Sequence, residues 1–126
     1  MIFYFSALEN VSLTLEINGI KDSIKKSKDI LDRFGLTKRL NHLPSQLSGG
    51  EQQRVAIARS VAMKPKLILA DEPTGNLDNE NTKMVSDMLF EYVNQETASL
   101  ILVTHDQKLA NKTKKIIHIN DGQIVK

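Results

Sequence analysis

Leu67-Ile68-Leu69-Ala70 is a short, unbroken apolar run, closed by Pro65-Lys66 on one side and by Asp71-Glu72 on the other. It is too short for a helix with an apolar stripe. With no polar alternation, it reads as a strand buried on both faces, as in parallel sheets. Leu100 to Val103 is a second such run. Parallel neighbours need a long crossover, commonly a helix. Met84, Val85, Met88, Leu89, Tyr92 and Val93 supply an amphipathic one from about Asn79 to Asn94. Asp106 to Asn111 reads as a short helix. Ile116–Ile119 and Gln123–Val125 flank Asn120-Asp121-Gly122, a hairpin signal. Strand, helix, strand, helix and a terminal hairpin define an α/β fold, with the hairpin as an antiparallel edge on the parallel sheet.

The first half is more helical. Residues 1–5 are apolar, and Leu8, Val11, Leu13 and Leu15 within Ala7–Leu15 settle no single period. Ile20, Ile24, Leu31 and Phe34 recur near helical spacing, and Gly35 stands where a helix C-terminus favours glycine. Pro44 and Ser45 mark a loop. Glu51 to Met63 then reads as a helix with Val55, Ala58 and Ala62 on one stripe. Ser48 and Glu51 form a capping-box pattern at its start.

Composition narrows the function. The chain has 126 residues, room for one ordinary domain and not two. Its 40% hydrophobic and 25% charged residues argue against wholesale disorder. The longest apolar run, Met1–Phe5, falls far short of the roughly 20 residues of a membrane span. No charged region precedes it, so it is not read as a signal peptide. The 17 Lys and Arg against 15 Asp and Glu leave a net charge of +2. Lys25–Lys28 and Lys112–Lys115 are dense but form no basic stripe, so a nucleic-acid partner is not expected. There is no cysteine, which excludes disulfides, thiolate metal sites and a cysteine nucleophile.

Three groups of residues carry chemistry. Asp71 and Glu72 lie at the C-terminal end of a strand, where open α/β sheets bind ligands. One carboxylate suits a hydrated Mg²⁺ and the other an attacking water, the division that phosphoryl transfer needs. A solvated turn after a strand has the same sequence look. In Leu47-Ser48-Gly49-Gly50-Glu51-Gln52-Gln53-Arg54, two glycines before a helix leave backbone N–H groups open to a phosphate, and Ser48 adds a hydroxyl. A capped helix after a flexible turn reads alike. Glu51 is awkward there, since a first-turn carboxylate competes with an incoming anion; it must turn aside, towards the Ser48 N–H. His105 follows the second strand, at the same end of the sheet as Asp71 and Glu72, where an imidazole can bond a terminal phosphate or the water; a structural or solvated histidine after a strand reads alike. His42 and His118 have no such placement.

Together these resemble the ABC-type ATPases. Leu47–Arg54 resembles their signature motif, usually Leu-Ser-Gly-Gly-Gln, with Glu51 in place of the Gln. Leu67–Glu72 resembles the Walker B strand and catalytic glutamate, Asn76-Leu77-Asp78 the D-loop, and His105 the switch histidine. Asp71–Asp78, Ala7–Val11 and the Glu51 variant are similar to the branch of lipoprotein-releasing, macrolide-export and cell-division-type subunits, the first of these being favoured. The resemblance implies ATP and Mg²⁺ as cofactors, with Asp71 on the metal, largely through water. It implies Glu72 as general base or water-orienting group and His105 on the γ-phosphate. Ser48, Gly49 and Gly50 would bind the γ-phosphate of a nucleotide held by a second nucleotide-binding subunit, and Asp78 would couple the two sites. Membrane-spanning permease subunits would be partners, met by the helical subdomain at the cytoplasmic face of the inner membrane. Residues of about 7–63 would form that subdomain with the signature, and 64–126 part of the catalytic core.

The phosphate cradle of this family is Gly-x-x-x-x-Gly-Lys-Ser/Thr. None of Gly19, Gly35, Gly49, Gly50, Gly75 and Gly122 is followed by Lys. The family places that loop, and the aromatic residue that stacks on adenine, upstream of the signature. Tyr4 stands where its Q-loop glutamine is expected. The expectation is therefore a partial nucleotide-binding domain, inactive by itself, whose sheet lacks a central strand and exposes apolar surface. Two other readings stay open: a non-enzymatic subunit giving signature residues in trans, and a soluble ABC protein acting on ribosomes or DNA.

Overall fold

The structure, a computed structural model, describes residues 1–125. Among these residues, five helices, two 3-10 turns and four strands follow one another. The helices α1 (Ala7–Ile17), α2 (Ser23–Arg33) and α3 (Gly49–Val61) come first, with the 3-10 turns Thr37–Arg39 and Pro44–Gln46 between α2 and α3. Then come β1 (Leu67–Asp71), α4 (Asn79–Gln95), β2 (Ser99–Val103), α5 (Gln107–Ala110) and the hairpin β3 (His118–Asn120) and β4 (Gln123–Val125). None of these helices is long and apolar enough to cross a membrane.

Helix α1 occupies the stretch whose period was ambiguous. Ser6 caps it, accepting from the Glu9 N–H while Glu9 Oε2 accepts from the Ser6 N–H at 2.7 Å, a complete capping box. Ala7, Val11 and Leu15 form the buried stripe. Helix α2 ends as its sequence suggests. Gly35 takes a φ of +67°, and the Leu36 and Gly35 N–H groups return to the Leu31 and Asp32 carbonyls at 2.9 and 2.8 Å. This Schellman closure turns Leu36 into the core. Leu31, Leu36, Val11, Val55 and Val85 are fully buried, so the core lies among α1, α2, α3 and α4.

Strands β1 and β2 pair in parallel, with Leu67 opposite Ser99 and Asp71 opposite Val103. The expected burial on both faces does not hold. Ile68 packs inward, but Leu69 is 72% exposed and Ile101 and Val103 are 55% and 57% exposed. The reason is topological: among the described residues these two strands make the whole sheet, and no third layer covers its outer side. The hairpin forms where Asn120-Asp121-Gly122 suggests, with φ of +48° at Asp121 and +74° at Gly122. Positive φ at both central positions is the turn geometry that matches strand twist. It is, however, a separate two-stranded sheet rather than an edge of the first.

Candidate functional site

The parallel register sets the first cluster. With Asp71 opposite Val103, the chain leaves both strands at the same level. The Glu72 N–H extends the ladder by one bond to the Val103 carbonyl at 2.9 Å. Glu72 then turns sharply, at a φ of +43°, a left-handed conformation that costs a side-chain-bearing residue free energy. Its carboxylate is held from the other strand's exit. Oε1 accepts from the His105 backbone N–H at 2.8 Å and lies 2.8 Å from His105 Nδ1, and Oε2 accepts from Thr104 Oγ1 at 3.3 Å. Thr104 Oγ1 also accepts from the Asp106 N–H at 3.0 Å, and Asp106 caps α5, so the segment bearing His105 is fixed on both sides. Partial desolvation pushes the Glu72 carboxyl up, but the bonds from His105 and Thr104 outweigh it and leave it below the usual carboxylate range. Asp71, one residue earlier, is exposed.

The second cluster forms at the start of α3. Ser48 is the N-cap: its hydroxyl accepts from the Glu51 N–H at 3.2 Å, and Glu51 Oε2 accepts from the Ser48 N–H at 2.8 Å. Glu51 has turned aside in the expected way. Its other oxygen, Oε1, accepts from Arg39 Nε at 2.7 Å. The Arg39 guanidinium and the Ser48 N–H together hold the Glu51 carboxyl down to about 2.

Gly50 is buried where α3 meets α4. A Cβ on it would lie 2.2 Å from Asn81 Oδ1 and 2.6 Å from Asn81 Cγ. That amide cannot easily swing away, because Asn81 Nδ2 donates to Asp78 Oδ2 at 2.7 Å and the Asn81 N–H to Asp78 Oδ1 at 2.9 Å. Asp78 is the N-cap of α4, and the two bonds from Asn81 hold its carboxyl below the usual range.

The site residues named from sequence thus fall into two groups. Glu72 and His105 meet directly, with Asp71 beside them on the strand. Gly49 and Gly50, in the turn that Ser48 caps, lie against Leu77 and Asn81, and Asn81 is bonded to Asp78. Among the described residues no hydrogen bond links the groups, but the run from Asp71 to Asp78 touches both. A Cβ on Gly75 would sit 3.3 Å from Glu72 Cβ, and one on Gly49 would sit 3.5 Å from Leu77 Cδ2. Arg39, Asn81 and Thr104 were not named from sequence. Arg39 had a signal, the uncompensated charge of Glu51; the other two had none short of the fold.

The parallel strand pair ending in Asp-Glu, the histidine on that glutamate and the Ser-Gly-Gly helix start belong to a fold shared with part of the ATP-binding cassettes. The profile of the ABC transporter family matches residues 3–75, and the chain belongs to that family. In particular, it is similar to the lipoprotein-releasing system ATP-binding protein LolD. That of Syntrophus aciditrophicus is 46% identical over 123 residues, covering 96% of this chain and 55% of the relative. That of Rickettsia bellii is 46% identical over 122 residues, covering 95% and 55%. The chain spans about half the length of the curated relatives it matches. A bacterial ABC transporter cassette solved as a dimer superposes on all of this chain and 57% of its own, with a TM-score of 0.88 and 36% identity. A dimeric ATP-binding cassette in a post-hydrolysis state bound to ADP and Pi gives 0.87 at the same identity and coverage.

Proposed function

We propose that this chain supplies the signature, Walker B, D-loop and switch-histidine residues of an ATP-hydrolysing subunit in a lipoprotein-releasing type ABC exporter. The observation that carries the reading is the Glu72–His105 pair, closed at 2.8 Å across the ends of two parallel strands. The Glu72 carboxylate is ionised and can accept a hydrogen bond from an attacking water, and the histidine reaching it is 82% exposed and open to a phosphate oxygen. Glu72 acts as general base or water-orienting group, and His105 meets the γ-phosphate.

Among the described residues no three His, Cys, Asp or Glu side chains gather as a metal cage. One exposed carboxylate, Asp71, fits Mg²⁺, which keeps several waters and takes its other ligands from nucleotide phosphates. When bound, Mg²⁺ neutralises phosphate charge. Ser48, Gly49 and Gly50 face the γ-phosphate of a nucleotide on a second nucleotide-binding subunit, and Asp78 joins the two sites. The further partners are membrane-spanning permease subunits at the cytoplasmic face of the inner membrane.

The 126 residues hold no phosphate cradle, so by themselves they turn over no ATP. The test is a chimaera in which the unmatched part of the Syntrophus aciditrophicus relative is placed ahead of Met1. It is expected to show Mg²⁺-dependent turnover that Glu72→Gln lowers by at least about a hundredfold, the scale of a lost general base. Turnover untouched by Glu72→Gln, or turnover by the 126 residues alone, sinks the reading.

A further inference from the structure

A glutamate in the first turn of a helix that offers its N-terminus to phosphate is an electrostatic contradiction. The helix end favours anions, yet a fixed negative charge beside the same N–H groups repels them. This chain places Glu51 at that position. Both oxygens of its carboxylate are engaged: Oε2 by the Ser48 N–H at 2.8 Å, and Oε1 by Arg39 Nε at 2.7 Å. The next two donors of that turn, the Gly49 and Gly50 N–H groups, make no backbone hydrogen bond among the described residues.

Arg39 is not a loosely tethered surface cation. It ends the 3-10 turn Thr37–Arg39, and its own N–H bonds the carbonyl of Leu36, which is fully buried. Just beyond it, the Leu40 and His42 carbonyls accept from the Leu8 and Ala7 N–H groups, both at 2.9 Å. Two free donors at the start of α1 therefore clamp the loop that brings the guanidinium to Glu51.

We propose that Arg39 is a positioning residue for the signature motif: it cancels the charge of Glu51 and holds that carboxylate against Ser48, leaving the Gly49 and Gly50 donors to the γ-phosphate. This rests on the reading of Ser48–Gly50 as phosphate-facing. Arg39 need not touch the nucleotide. Without it, the carboxylate is both unbalanced and released to swing over the helix end.

The decisive comparison is Arg39→Ala in two backgrounds of the chimaera. With Glu51 present, Arg39→Ala is expected to raise the KM for ATP roughly tenfold, with kcat within about twofold, a shift of one factor of ten in apparent affinity. In the E51Q background the same substitution is expected to change KM by less than about twofold, because no charge is left to cancel. Equal losses in both backgrounds, or none in either, overturn the proposal, since mere loop support would not depend on residue 51. A second measurement needs no turnover: carboxyl NMR titration of Glu51 in the 126-residue chain. The wild-type carboxyl should stay ionised down to about pH 2, and Arg39→Ala should move its midpoint up towards 4.5. If the chimaera is silent, the functional reading falls. The proposed hold on Glu51 is then decided by the titration, and an unmoved midpoint overturns it.

Discussion

The helical half and the sheet of this chain are built to different standards of closure. Where α1, α2 and α3 meet, Leu31, Leu36 and Val55 are wholly buried. Among the described residues, strands β1 and β2 pair only with each other, and their outer side presents Leu67, Leu69, Ile101 and Val103 to solvent. The signature turn therefore adjoins the packed core that α1, α2 and α3 share with α4. The Glu72–His105 pair stands instead at the end of a strand pair with open edges and one bare face, a surface prone to pairing with other chains. The contrast separates two kinds of site support: packing for Ser48–Gly50, and hydrogen bonds across strand ends for Glu72.

The contrast predicts unequal costs for the same substitution. Leu31→Ala should cost roughly 3 kcal/mol by leaving a cavity, whereas Leu69→Ala should cost less than about 0.5 kcal/mol. Chemical denaturation of both variants measures the difference, and equal costs would break the comparison. Gly50→Ala tests the join between the regions. With Asn81 held by Asp78, the new Cβ should cost about 2 kcal/mol of overpacking, and Asn81→Ala in the same chain should recover much of it. A double-mutant cycle reads that recovery directly.

The smallest effect separates the regions by charge. The folded-state pKa of Glu51 is lowered from 4.5 to about 2, so its contribution is present above pH 4.5 and is lost as pH falls towards 2. The stability gap between wild type and Glu51→Gln, on the order of 1 kcal/mol like other helix caps, should therefore close across that window. Thermal unfolding at a series of pH values follows it. A gap that widens in acid would place the cap's support elsewhere.

Much of the helical half was legible because its signals are local. Ser48 and Glu51 lie three residues apart, and Gly35 announces its own backbone conformation. Helix α1 was obscured because Leu8, Leu13 and Ile17 fall off the Ala7–Val11–Leu15 stripe, so apolar content and burial disagree. Ile17 is in fact 75% exposed. The apolar run Leu67–Ala70 marked a strand correctly but not its surroundings, since hydrophobicity records what a side chain tolerates and not which neighbour is present. The pairing of Glu72 with His105 followed from two strands sharing a direction. That Asn81 fills the space over Gly50 depends on a missing Cβ and on two helix starts meeting, which no local pattern encodes.

The backbone of Glu72 carries a consequence of its own. At a φ of +43° a glycine would sit without steric cost, and an asparagine with little. A sequence drifting towards stability alone would settle on one of them. The glutamate kept here makes position 72 a point where thermostability and chemistry pull in opposite directions, so a stabilising screen of this chain would tend to erase the residue proposed to do the work.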